Sequence, residues 1–99
     1  MRRPVMMAAQ CRTQSGLRDR GEISDISETG CCLRAQSLFF RVGARIVIKP
    51  EGIEGLVGIV RWISNECAGI EFETPIYGPV LDHLCAQNAA GASVGLRAY

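Results

Sequence analysis

Asp25-Ile26-Ser27-Glu28-Thr29-Gly30 sits where one alternating stretch of the chain hands over to the next. Upstream, Glu22-Ile23-Ser24-Asp25-Ile26-Ser27 places polar and apolar side chains in turn, the period-two pattern of a half-buried strand. Gly30 closes a turn, and Cys31 to Ala35 resumes extended structure around Leu33. Asp and Ser side chains bond to the backbone in turns and Gly supplies a positive φ, so Asp25, Ser27 and Gly30 suit a tight connection. The same three residues also suit a ligand. A carboxylate and a hydroxyl held at a strand end can bind a guanine edge, and a glycine lets a ligand approach the backbone closely.

Working outward, the chain reads as short strands divided by turn signals. Val5 to Arg12 forms a first strand with weak alternation, broken by Gln14-Ser15-Gly16, and the polar Arg18-Asp19-Arg20-Gly21 cluster extends that turn. Phe39 and Phe40 cap one end of the core. Val42-Gly43 leads into Ala44 to Ile48, which Pro50-Glu51-Gly52 closes. Glu54 to Ile63 is the longest candidate strand, with Leu56, Gly58, Val60 and Trp62 on one side, Trp62 in the core and Arg61 facing the other way. Ser64-Asn65-Glu66 is a hairpin turn. In Ala68 to Glu73 the residues Ile70 and Phe72 face in, while Glu71 and Glu73 face out. A helix starts near Gly78-Pro79, since proline suits the first turn, and Val80, Leu81, Leu84 and Cys85 make its apolar stripe. From residue 88 to 99 the pattern fades into a tail, its end docked by Leu96 or Tyr99. Strands this short and regular predict an all-β barrel or sandwich, and closure into a barrel removes exposed edges.

The length of 99 residues suits one domain, here expected over residues 1–87. A net charge of +1 sets up no global field that favours nucleic acid or a membrane surface. Seven arginines and no lysine occur up to Arg41, a bias that suits phosphate recognition or simply reflects a GC-rich genome. No apolar stretch is long enough for a bilayer span, and the run Val5 to Ala9 is too short for a signal peptide, so a cytoplasmic protein is expected. The five cysteines form no Cys-x-x-Cys pair, and adjacent Cys31 and Cys32 point to opposite faces of a strand. They read as small buried hydrophobes, with no metal and no disulfide framework. His83, Glu71 and Glu73 have no partner motif, so neither an enzyme nor a resident cofactor is expected.

Asp25-x-Ser27-x-x-Gly30, the Val42-Gly43-Ala44 turn, Gly58-Ile59-Val60-Arg61-Trp62 and Gly69-Ile70-Glu71-Phe72 occur in an order that resembles the PilZ domain family, over roughly residues 2 to 86. The resemblance implies a six-stranded antiparallel barrel with a short C-terminal helix, and a regulatory module that binds cyclic di-GMP and acts on an effector protein. In that family an Arg-x-x-x-Arg segment grips the phosphates and stacks on guanine, while the Asp-x-Ser-x-x-Gly turn reads the rest of the ligand. The resemblance therefore assigns the ligand to Arg2, Arg3, Asp25, Ser27 and Gly30. The turn matches fully. The arginine segment does not, because Met6 follows Arg2 and Met7 follows Arg3 at the required spacing. Arg3 lies where the second family arginine is expected, and the first would fall before Met1. Two readings stay open: a cyclic di-GMP receptor whose arginine segment orders on the ligand, and a PilZ-like barrel that binds protein partners without nucleotide.

Overall fold

The computed structural model describes residues 2–35, 40–65 and 67–88. Among the described residues six strands and one helix follow in order: β1 (Arg3–Thr13), β2 (Arg18–Ile26), β3 (Gly30–Arg34), β4 (Arg45–Pro50), β5 (Leu56–Ser64), β6 (Cys67–Phe72) and α1 (Gly78–Asn88). Every pairing is antiparallel, and the ring β1-β2-β3-β6-β5-β4 closes because β4 also pairs with β1. Closure satisfies both edges of every strand, which a small sheet otherwise leaves open to other chains. The expected six-stranded barrel with a short C-terminal helix is thus what the chain forms.

Alternation decides which side chains fill the barrel. Along β1, Val5, Met7, Ala9 and Cys11 are buried while their even-numbered neighbours are exposed. The weak hydropathy contrast arises because Met6 and Ala8, although apolar, lie outside. Ile23 and Ile26 from β2, Leu33 from β3, Ile46 and Ile48 from β4, Val60 from β5, and Ile70 and Phe72 from β6 join them in the core, which Leu81 and Leu84 of α1 extend. Removing such side chains from water is worth about 1.5–3 kcal/mol each for the larger ones. Irregular pairing interrupts β1 between Pro4 and Met7, β2 between Ile23 and Asp25, and β5 between Val60 and Trp62. Bulges of this kind bend strands and re-aim side chains.

Three local expectations are corrected. Arg18-Asp19-Arg20-Gly21 is not turn but the start of β2, paired with β1 from Arg18 opposite Arg12 onward. The bulge in β5 puts Arg61 and Trp62 both outside, so Trp62 is 43% exposed and lies across Gly69 instead of in the core. Val80 is exposed, and α1 buries only Leu81, Leu84 and Cys85. Phe40 packs against the core as expected, whereas Phe39 and the tail after Asn88, with Leu96 and Tyr99, lie outside the described residues. Ser64 pairs with Cys67 across the β5–β6 connection and Asn65 has a φ of 55°, as a turn there requires, while Glu66 lies outside the described residues.

Candidate functional site

Ser27 follows directly on β2, and its buried hydroxyl organises the turn to β3. Its Oγ accepts hydrogen bonds from the backbone N–H groups of Thr29 and Gly30, both at 3.2 Å, and lies 3.3 Å from the Gly30 carbonyl. The Ser27 N–H donates to the same carbonyl at 2.8 Å. The turn is also tied to the far end of the chain. Phe72 N–H donates to Thr29 O and Ile76 N–H to Glu28 O, each at 2.8 Å, so the turn anchors the segment that leads from β6 into α1.

Gly30 is needed for a different reason from the one expected. It does not have a positive φ. Instead it passes so close to β6 that an added Cβ would stand 2.3 Å from the Ile70 carbonyl oxygen. No side chain fits there without a backbone shift.

Asp25 sits outside the barrel, half-buried, paired across β1 with Pro4 and across β3 with Cys32. Arg2 donates to its carboxylate at 2.6 Å. Arg3, the first residue of β1 and paired with Ile26, forms an ion pair with Asp82 on α1. That hydrogen bond holds the Arg3 guanidinium more firmly protonated than usual, with Cys85 and Glu28 adding to the effect. The structure therefore brings Arg2, Arg3, Asp25, Ser27 and Gly30 to one end of the barrel, beneath α1. Arg3 already stands in β1, and Arg2 directly precedes it. Sequence reasoning missed Asp82: a carboxylate off the helix stripe carries no signal that it will meet residue 3.

The other polar residues sort away from this corner. Glu71 pairs with Arg61 at 2.6 Å, and Glu73 takes both Nε and Nη2 of Arg45 at 2.7 and 3.0 Å, all on the outer face. His83 is exposed on α1. The five cysteines are free. Cys31 points into the barrel and Cys32 out, where Cys67 and Ser24 meet it. Among the described residues no three of His, Cys, Asp and Glu converge as metal ligands, and no helix is long and apolar enough to cross a membrane.

This ring of six strands with its terminal helix has a counterpart among solved structures. The chain is similar to the PilZ domain of CeSA from a cellulose-synthesizing bacterium, with a TM-score of 0.62, covering 88% of this chain and 92% of that one. The barrel has the PilZ fold. Identity with that domain is only 14%, so the likeness speaks for the fold alone. No protein-family model and no curated protein matches the chain. In this barrel the Asp25-to-Gly30 turn occupies the β2–β3 connection, Arg3 begins β1 and Arg2 directly precedes it.

Proposed function

We propose that this chain is a PilZ-type regulatory module, a binding domain and not an enzyme, that takes cyclic di-GMP at the corner formed by Arg2, Arg3 and Asp25. The observation that supports it is the gathering of both arginines and the motif turn at one barrel end. Two guanidinium forks there suit phosphate oxygens. Each now rests on a carboxylate, so ligand phosphates displace Asp25 from Arg2 and Asp82 from Arg3. Binding exchanges ion pairs instead of ordering a segment. Freed from Arg3, α1 carries the change to an effector protein, and residues 1–87 act as one domain.

Titration calorimetry with cyclic di-GMP tests this reading. Replacing both Arg2 and Arg3 by Ala weakens binding by roughly ten- to a hundredfold or more, the equivalent of at least one lost charge-assisted contact at about 1.5–3 kcal/mol. Asp82→Asn has the opposite effect. Freeing Arg3 from its exposed ion pair tightens binding a few-fold at most. Absence of heat at high micromolar ligand removes the reading.

One observation favours a second function, a barrel that binds protein partners without nucleotide. The Ser27 hydroxyl and N–H and the close approach of Gly30 are all engaged inside the fold. If cyclic di-GMP fails to bind while a partner is captured equally by wild type and by Asp25→Ala, this second function stands.

A further inference from the structure

We propose that the outer face of β1, between β2 and β4, is a docking trough for an extended acidic segment of a partner protein. The register sets out its charges. Arg12 lies opposite Arg18 on β2 and Val47 on β4, and Gln10 lies opposite Arg20 and Lys49. Arg12, Arg18, Arg20 and Lys49 line one hollow of about 480 Å³, in which Asp19 is the single lining carboxylate. Smaller hollows of about 430 and 260 Å³ continue it towards Gly16 at one end and Gly52, beside Glu51, at the other. The trough follows β1 from Ala8 to Thr13, roughly 17 Å at about 3.4 Å per residue.

Charge and spacing choose the occupant. None of Arg12, Arg18, Arg20 and Lys49 forms an ion pair among the described residues, whereas the other outer-face pairs, Arg45 with Glu73 and Arg61 with Glu71, are complete. Like charges placed directly opposite across a strand pair, as Arg12 and Arg18 are, destabilise a sheet. An acidic partner relieves that repulsion. The two cationic rows are two residues apart along β1, about 6.8 Å, which is also the distance between alternate side chains of an extended peptide. No aromatic residue lines the hollows, so the stacking platform that single-stranded nucleic acid uses is missing.

An end-blocked, labelled peptide of alternating Glu and Ser, about six residues long to span the trough, is titrated by fluorescence anisotropy against the full chain. Saturable binding is expected, weakened at least tenfold by the double substitution Arg12→Gln with Arg20→Gln, and weakened as salt rises from about 50 to 300 mM. Circular dichroism checks that the exposed replacements leave the barrel folded. A chain with Arg2 and Arg3 both changed to Ala keeps its peptide affinity, which separates the trough from the corner at the other end of β1. Unchanged affinity in the trough variant, loss of affinity in the corner variant, or tighter binding of an oligothymidylate than of the peptide would each overturn the proposal.

Discussion

Ser27 and Gly30 show how one short motif serves the fold. The Ser27 hydroxyl satisfies two backbone N–H groups in a buried turn. Ser27→Ala leaves both without that partner and is expected to destabilise the chain by about 1–3 kcal/mol, read from urea denaturation. Gly30→Ala forces a Cβ against the Ile70 carbonyl. It is expected to cost about 1–3 kcal/mol, the usual range for overpacking, with the strain centred on the β3–β6 pairing. If either variant matches wild type, the structural account of the motif fails. The turn role of Ser27 was readable from residue type, since serine turns are local. The role of Gly30 was not, because it depends on where β6 passes.

At the scale of elements, the β5–β6 pair shows what a bulge changes. Strict alternation places Trp62 inside with Val60, but the irregular pairing between them turns the indole outward over Gly69. An ideal Cβ on Gly69 would come within 2.0 Å of Trp62 Nε1. Because the indole is on the surface and can swing away, Gly69→Ala is expected to displace it. Trp62 is the single tryptophan of the chain, so its fluorescence reports the move directly: a shift to longer wavelength and easier quenching by acrylamide. Unaltered emission would mean that the ring does not cover Gly69. The same logic explains the start of β2. Arg18 to Gly21 looks like turn by composition, yet pairing with β1 extends the strand, since a closed barrel satisfies backbone groups whatever the exposed side chains are.

For the whole molecule, the closed barrel buries thiols that the unfolded chain exposes. Burial pushes Cys11 from its ordinary 9.0 up to about 11, with Asp19 adding to the rise, and raises Cys31 further. Below about pH 9 both states keep these thiols protonated and the contribution to stability is whole. Above it the unfolded chain releases protons that the folded chain retains, so stability falls as pH rises from about 9 to 11. The slope is at most about 1.4 kcal/mol per pH unit for each thiol. Urea midpoints at pH 8.5 and 10.5 measure it, and replacing Cys11 and Cys31 by Ala flattens the profile; a profile equally steep in that variant would assign the loss to other groups. The amino-acid sequence by itself determined the class of fold, the order of the strands, the motif turn and the helix, because alternation, turn residues and helical spacing act over a few neighbours. Only the tertiary structure decided that Arg3 meets Asp82, that Gly30 is bare for the sake of Ile70, and that Arg12, Arg18, Arg20 and Lys49 share one face. Those contacts join residues far apart in the chain, and barrel closure, strand register and bulges set them.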